Sequence, residues 1–202
     1  MQKYEEKKFD IEQLDGISTK QIEEHLKLYS GYVKHTNLIR EKIAELSKDK
    51  ENNSYIISEL RRRFNFEFNG MRMHEYYFEQ LEGGAKDLNT ESALAKVLTE
   101  KYGSLNESIN HFKEVGKSRG IGWVVLAYDV TAKTPHIVWV GDHEIGQLGG
   151  LPIIAVMDVW EHAFMVDYVP SEKGKYIDAF LKNINSDVLE KRYNDLGVRS
   201  KE

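Results

Sequence analysis

Residues 158–162 read DVWEH, so a carboxylate, Asp158, stands four positions before an imidazole, His162. On a helix that spacing brings the two side chains to one face, one turn apart. Two such groups can bind a single metal ion. The preceding residues 151–157 are apolar and rich in β-branched side chains, which is typical of a buried strand. The sequence therefore predicts a metal-binding pair where this strand leads into a helix over residues 159–166.

Two long helices are predicted in the N-terminal part of the chain. Ser18 or Thr19 is suited to cap a first helix that runs to about Ser47. A polar break over residues 48–53 precedes a second helix at about residues 54–81. The short connection makes the two helices antiparallel. The inner side of the second helix is predicted to carry Ile56, Ile57, Leu60, Phe64 and Phe66.

The remaining sequence has the pattern of a small sheet packed with helices. Stretches rich in β-formers and bounded by Gly, Pro and Asp predict strands at residues 122–129, 136–141 and 151–157. Helices are predicted at about residues 90–102, 104–116, 159–166, 172–183 and 186–195. The fold class is therefore α+β. We expect an N-terminal antiparallel helical hairpin domain over residues 1–85, and a C-terminal α/β domain over residues 86–202 with a small three-stranded antiparallel sheet and helices.

Composition excludes several kinds of site. The 33 acidic residues outnumber the 28 basic ones, and the formal charge of −5 argues against a nucleic-acid-binding surface. The densest basic run, Arg61–Arg63, is interpreted as a solvated helix face. The chain has no cysteine, so any metal site must use nitrogen and oxygen ligands. No apolar stretch has the length of a membrane span, and we expect a cytoplasmic protein without a membrane partner.

The placement of the histidines is more informative than their number. His25 lies in the first predicted helix, His74 near the end of the second, and His162 after the third strand. A single histidine on a helix is more often a surface or core residue than a ligand. The three together with Asp158 favour a shared site.

Five stretches of this sequence have the form of known family motifs. They are residues 17–37 (ISTKQIEEHLKLYSGYVKHTN), 69–81 (NGMRMHEYYFEQL), 120–126 (GIGWVVL), 158–164 (DVWEHAF) and 183–193. In these motifs the chain resembles the iron/manganese superoxide dismutase family. The similarity spans nearly all of the chain from about residue 17.

The resemblance implies a metal site and a reaction. Carried over by position, the metal ligands are His25, His74, Asp158 and His162, with a solvent molecule as a fifth ligand. Such a site takes one iron or manganese ion per subunit, and it lacks the thiolates that favour softer metals. The implied enzyme is a superoxide dismutase, an antioxidant oxidoreductase that converts superoxide to dioxygen and hydrogen peroxide by redox cycling of the metal.

The resemblance also implies two catalytic residues that are not ligands. His143 takes the position where many members have a glutamine that hydrogen-bonds the coordinated solvent, as in one branch of the family, and Gly70 leaves room for it. Tyr32 corresponds to the tyrosine that guards the substrate channel. It follows His25 by seven residues instead of the usual eight, and seven residues on a helix return to nearly the same face.

The subunit interface departs from the family pattern at two positions. Glu161 is retained, and in the family this glutamate reaches the partner's His162, so we expect a homodimer or a tetramer. Met165 replaces a tyrosine, and Tyr29 stands where the family has the histidine that the tyrosine binds. Both members of that cross-subunit bond are changed together, which predicts a rearranged channel mouth.

Other roles remain open at the level of sequence. Trp123 and Trp160 either line a dry pocket or simply fill the core. The candidates for steering the superoxide anion are Lys27, Lys34 and Lys173. A non-haem iron oxygenase needs only two histidines and a carboxylate, which would make His25 dispensable for metal binding, and a non-catalytic scaffold would be metal-free. Residue identity does not choose between iron and manganese, although Val156 lies close to Asp158 and is a candidate to bias that choice.

Overall fold

The computed structural model describes residues 2–143 and 151–197. The N-terminal part is a hairpin of two long helices, α1 (Thr19–Leu46) and α2 (Lys50–Glu79). A single 3₁₀ turn, Ser47–Asp49, connects them. The predicted helical hairpin is confirmed.

Capping side chains set where the two helices begin. The Ser18 hydroxyl accepts a hydrogen bond from the amide of Gln21 at 3.1 Å, so α1 begins where the sequence predicts. The Asp49 carboxylate accepts from the amide of Asn52 at 3.4 Å. This cap starts α2 at Lys50, four residues before the predicted start, and the polar break is correspondingly short.

Helices and a sheet form the described C-terminal part of the chain. The helices are α3 (Ala93–Tyr102), α4 (Leu105–Gly116), α5 (Lys173–Lys182) and α6 (Ser186–Asn194). The strands are β1 (Gly122–Asp129), β2 (Thr134–Gly141) and β3 (Ile153–Asp158), and they form an antiparallel sheet in the order β2-β1-β3. The α+β fold class is confirmed.

The central strand β1 positions the end of β3. β1 is buried along nearly its whole length, as expected for a strand covered on both faces. It pairs with β3 so that Trp123 lies opposite Asp158 and Val125 opposite Val156. The ladder therefore holds the carboxyl end of β3, with Asp158, against the middle of the sheet.

The predicted helix over residues 159–166 is wrong. β3 continues through Asp158 because that residue still pairs with β1, and only one 3₁₀ turn, Glu161–Ala163, follows. The Asp158 carboxylate accepts a hydrogen bond from the amide of Trp160 at 2.8 Å, and Trp160 has extended backbone angles. Asp158 and His162 are thus brought together by a strand end and a turn, and not by one face of a helix.

An extended N-terminal segment, residues 2–13, lies along the hairpin. The amide of Lys7 donates to the hydroxyl of Tyr29 at 2.9 Å. The ammonium group of Lys7 contacts the carboxylate of Glu79, near the end of α2, at 2.6 Å. The segment therefore ties the two helices together.

The predicted division into residues 1–85 and 86–202 stays a prediction, and Met1 and residues 198–202 lie outside the described residues. At the end of α2, the carbonyl of Gln80 accepts from the amide of Asn185 at 2.8 Å, which joins the hairpin to the C-terminal part. In the described part of the chain no helix is both long and apolar enough to cross a bilayer.

Candidate metal centre

Four side chains converge where the helical hairpin meets the sheet. His25 comes from α1, His74 from α2, Asp158 from the end of β3 and His162 from the following 3₁₀ turn. One candidate ligand atom from each side chain lies within 4.8 Å of the others. His162 is partly exposed and the other three are buried. The structure thus brings together the four residues that the sequence predicts as ligands.

The carboxylate of Asp158 lies at the middle of this group. Its Oδ2 is 3.0 Å from Nε2 of His25, 3.1 Å from Nε2 of His162 and 3.6 Å from Nε2 of His74. Nε2 of His74 is buried and finds no hydrogen-bond partner among the described residues. A buried unpartnered nitrogen among three imidazoles and a carboxylate fits a metal ion as the missing partner. A donor set of nitrogen and oxygen alone suits iron or manganese.

Contacts outside the group orient the ligands. Nδ1 of His74 donates to the carbonyl of Gly70 at 2.6 Å, which leaves Nε2 with its lone pair directed at the group. The amide side chain of Gln21 donates to the carbonyl of His162 at 2.7 Å and accepts from the amide of Val166 at 2.9 Å. Helix α1 therefore braces the turn that carries the fourth ligand.

The balance of burial and charge sets the protonation of the ligands. Burial alone would raise the pKa of Asp158, but its contacts with His162 and His25 hold that pKa far below its ordinary value. Burial lowers the pKa of His25, and burial together with the charge of His25 lowers the pKa of His74. At His162 burial alone would lower the pKa, but the charge and hydrogen bond of Asp158 together with the charge of Glu161 outweigh burial and raise it. An ionised carboxylate and neutral imidazoles are the forms that bind a metal, so these shifts favour binding at Asp158, His25 and His74, while at His162 the metal must compete with a proton.

The two predicted catalytic side chains lie beside the ligands. The ring centroid of Tyr32 is 5.1 Å from that of His74 and 5.0 Å from that of His143. Both ring nitrogens of His143 are buried, and neither has a hydrogen-bond partner in the part of the chain that the structure describes. Burial lowers the pKa of His143 to about 4, so its imidazole is neutral at neutral pH. Burial, followed by the charge of Asp158, raises the pKa of Tyr32 and keeps its hydroxyl protonated.

Gly70 gives these two side chains their space. A Cβ atom at this position would lie 2.6 Å from Nδ1 of His143 and 2.6 Å from Cδ1 of Tyr32. Both distances are shorter than any ordinary van der Waals contact. Gly70 therefore leaves room for His143, as the sequence predicts. The side-chain amide of the neighbouring Asn69 donates a hydrogen bond to the carbonyl of His143 at 2.7 Å.

Aromatic side chains enclose the centre. The ring of Trp123 lies 5.1 Å from that of His74, and Trp160 stacks on His162 at 5.8 Å. The indole nitrogens of both tryptophans are buried, and within the described ranges neither has a hydrogen-bond partner. Both tryptophans therefore line the candidate site, and Trp123 is also fully buried in the core.

Sequence analysis missed one wall of the site. The ring of Phe66 lies 4.8 Å from that of His143, and the guanidinium of Arg63 stacks on Phe66 at 3.8 Å. Arg63 also pairs with the buried Glu67 at 2.8 Å, while its own side chain stays exposed on α2, in agreement with the predicted solvated face. The available signal was the four-residue interval that relates Phe66, Gly70 and His74 on one side of α2.

Tyr176 was also missed, because no spacing in the sequence connects it to the site. Its hydroxyl donates to the carbonyl of Asp158 at 2.7 Å, and it lies 3.3 Å from the hydroxyl of Tyr77 on α2. The backbone of the ligand strand is therefore held by a buried tyrosine pair.

The candidate steering lysines differ in their surroundings. Lys27 is paired with Glu24 at 2.7 Å. Lys173 lies over the ring of Trp139 at 5.2 Å, and burial lowers its pKa. Lys34 is exposed. A net steering charge at the site mouth stays a prediction.

The two interface positions have unlike environments. Tyr29 is fully buried, and its hydroxyl donates to Glu75 at 3.2 Å within its own chain. Met165 is exposed next to the candidate site. Tyr29 is therefore already satisfied without a partner subunit.

Fold and site together define a class of protein: one whose helical hairpin and small antiparallel sheet enclose a single centre of three histidines and one aspartate. The sequence model described as iron/manganese superoxide dismutases, C-terminal domain, matches residues 90–192. Among similar proteins is the iron superoxide dismutase of Aquifex pyrophilus, 37% identical over 185 residues, which cover 89% of this chain and 85% of that protein. The iron superoxide dismutase of Saccharolobus solfataricus is 30% identical over 81% of this chain and 79% of its own.

A relative of mixed metal use is also similar. The manganese/iron superoxide dismutase of Aeropyrum pernix is 29% identical over 83% of this chain and 78% of that protein. The chain belongs to the iron/manganese superoxide dismutase family, and so to the metal-dependent oxidoreductases.

Proposed function

We propose that this chain is a superoxide dismutase that holds one iron or manganese ion per subunit with His25, His74, Asp158 and His162. The observation that carries the proposal is the convergence of these four side chains, with candidate ligand atoms within 4.8 Å of one another. Membership of the dismutase family supplies the substrate class. When bound, the metal supplies the one-electron exchange that oxidises one superoxide to dioxygen and reduces a second to hydrogen peroxide.

The reaction consumes two superoxide anions and two protons, and the protein's own groups must supply or hold those protons. The Tyr32 hydroxyl is protonated and lies beside His74, where it can donate to an incoming anion. The neutral His143 has one nitrogen that donates and one that accepts, and neither has a partner among the described residues 2–143 and 151–197. We assign both residues to a hydrogen-bond network that relays protons to the substrate.

The aromatic wall excludes bulk water from this network. Trp123, Trp160 and Phe66 lie against the imidazoles of the site. In so apolar a setting each remaining hydrogen bond to a charged substrate is stronger than in water. Because water is excluded, a small anion in this pocket interacts mainly with the metal and with the hydrogen-bond donors Tyr32 and His143.

Replacement of one ligand tests the proposal against its two rivals. His25→Ala should lose stoichiometric iron and manganese, because three donors remain in a buried site. His35→Ala is the matched control, since His35 is an exposed histidine of the same helix. We expect the control to retain both metal content and superoxide dismutation.

The outcomes separate the three functions. A His25→Ala variant that keeps its metal, with a wild type that fails to dismutate superoxide, would favour an oxygenase-like site of two histidines and a carboxylate. A wild type that takes up neither metal would favour a non-catalytic scaffold. If His25→Ala loses both metal and dismutation while the wild type and His35→Ala keep both, the result supports the dismutase.

We further propose a homodimer or tetramer built on Glu161 and the partner's His162. Exposed apolar side chains at Met165 and Val166 support the proposal, because a second subunit would cover them. A cytoplasmic location and a role for Val156 in choosing the metal are kept as predictions. Light scattering of the wild type and of Glu161→Ala tests the interface, and a monomeric wild type would contradict it.

A further inference from the structure

Gln80 is a fully buried amide with an unusual pair of hydrogen bonds. It is the C-cap residue of α2, directly after the last helical residue Glu79. Its Oε1 accepts from the backbone amide of Val156 at 3.2 Å, and its Nε2 donates to the backbone carbonyl of the same residue. One side chain therefore satisfies both backbone groups of one residue in the ligand strand.

The contact lies on the free edge of the sheet. β3 is an edge strand, with β1 on its other side. Unpaired backbone groups on a buried edge are costly, and a neighbouring strand normally satisfies them. The Gln80 amide offers the donor and the acceptor of a peptide group, and so replaces that neighbouring strand at a single position.

The register of β3 makes this position sensitive. The ladder between β1 and β3 is irregular: Leu126 pairs with Ala155, while Ala127 pairs with Ile153. The bulge places Ile154 between two paired residues of β3 and leaves it without a partner in the register with β1. A slip of one residue would turn Asp158 to the opposite face of the sheet. The two hydrogen bonds of Gln80 hold Val156, two residues before Asp158, on the side of β3 that faces away from β1, and so oppose that slip.

The same two hydrogen bonds connect two ligand-bearing elements. Gln80 follows His74 by six residues on α2, about 9 Å along the helix. Val156 precedes Asp158 by two residues, about 7 Å along the strand. We propose that Gln80 is a positioning residue of the metal centre, which fixes the carboxylate of Asp158 relative to the imidazole of His74. The inference rests on the proposed function, because the metal is what the two ligands share.

Gln80→Met is the direct test, because methionine keeps the length of the side chain and removes both hydrogen bonds. Arg192→Gln is the matched control. Its guanidinium donates to the carbonyl of Ile154 at 3.0 Å on the same strand edge, and it also pairs with Glu79. Both variants weaken the packing of α2 and α6 on β3, but only the first releases Val156.

The readouts are the rate of metal loss to an excess of chelator and the visible absorption spectrum of the trivalent metal. We expect Gln80→Met to lose iron or manganese about tenfold faster than the wild type, which is the usual size of effect when a residue that orients a metal ligand is replaced. Its visible spectrum should also be shifted. Arg192→Gln should lower thermal stability and leave the spectrum unchanged. Gln80→Asn, one methylene shorter, reaches at most one of the two backbone groups and should give an intermediate rate.

Two results overturn the inference. If Gln80→Met and Arg192→Gln are equally destabilised and both keep the wild-type spectrum and rate of metal loss, Gln80 has only a structural role. If Gln80→Met does not fold, a wild-type spectrum and rate in Gln80→Asn lead to the same conclusion. A wild type that takes up no iron or manganese overturns the proposed function itself, and is distinguished by metal analysis before any variant is made.

Discussion

At the level of single residues, Gly70 is a position in the site where the structure leaves no room for a side chain. Gly70→Ala places a methyl group 2.6 Å from both His143 and Tyr32, so one of them must move. We expect the variant to bind metal and to lose at least tenfold in dismutation rate per bound metal. Activity and metal content of the purified variant check this.

The matched control for that change is Gly31→Ala in α1, where an added methyl group meets no atom within 4 Å. Alanine is the better helix former by about 1 kcal/mol, so this variant should gain stability in chemical denaturation and keep full activity. A Gly70→Ala enzyme as active as Gly31→Ala would show that the close approach is not required.

His143 and Tyr32 should separate catalysis from metal binding. Tyr32→Phe removes the hydroxyl and keeps the ring that packs on His74, and His143→Leu removes the unpartnered nitrogens in a site that is already apolar. We expect stoichiometric metal in both variants and dismutation slowed by about a hundredfold or more, the size usual for a lost proton-transfer group. Wild-type rates per metal in both would remove these residues from the proton network.

The sequence predicts the ligand residues correctly as a converging group because each has a local motif around it. Tyr176 has no such motif, Phe66 is connected to the site only by its four-residue interval from Gly70, and Gln80 lies within a motif that does not reveal its contact. Gln80 meets Val156 across 76 residues, and that contact exists only once the hairpin has packed on the sheet. Tertiary contacts of this kind leave no spacing pattern in a single sequence.

At the scale of elements, the N-terminal segment and α2 are joined by an ion pair with a predictable pH dependence. Burial alone would raise the pKa of Glu79, but its contacts with Lys7 and Arg192 outweigh burial and lower it. A carboxyl whose pKa is lower in the folded state stabilises the fold above its unfolded pKa, and that stabilisation is lost as the pH falls through the folded pKa.

Glu79→Gln should therefore destabilise the metal-free protein at pH 7 and have much less effect at pH 3. Urea denaturation at the two pH values gives both free energies of unfolding. Glu59→Gln is the control, because Glu59 pairs with Arg62 on an exposed face, where such pairs contribute little. An equal effect of Glu79→Gln at both pH values would contradict the assignment.

The helices and strands were predicted well where periodicity or capping residues determine them. β1 begins and ends at the predicted residues, 122 and 129. The helix over residues 159–166 was wrong because the Asp158 carboxylate binds the amide of Trp160, a contact that competes with helix formation. Ile56 was assigned to the inner side of α2, but it is 51% exposed, while its neighbour Ile57 is buried. Near a helix end, small errors in phase turn a residue outward.

At the scale of the whole molecule, the metal joins parts that are distant in sequence. Ligands from α1, α2, β3 and the 3₁₀ turn meet at one point, so metal binding stabilises the folded state by mass action. For metal present at about a thousand times its dissociation constant the gain is about 4 kcal/mol. For a chain of this size that corresponds to a rise in Tm of roughly 10 °C.

Removal of the metal should thus lower the Tm by roughly 10 °C, and resupply of iron or manganese should restore it. Differential scanning calorimetry of the metal-loaded and metal-free protein measures the change, with Asp158→Asn as a control that should show little response to metal. Equal Tm values for the loaded and metal-free wild type would mean that the metal does not bind at the shared site.

The central claim is tested most directly by the rate of superoxide dismutation per bound metal, measured for the same protein loaded separately with iron and with manganese. We expect catalysis in at least one form and its loss in His25→Ala. Stoichiometric metal in both forms with dismutation in neither would contradict it.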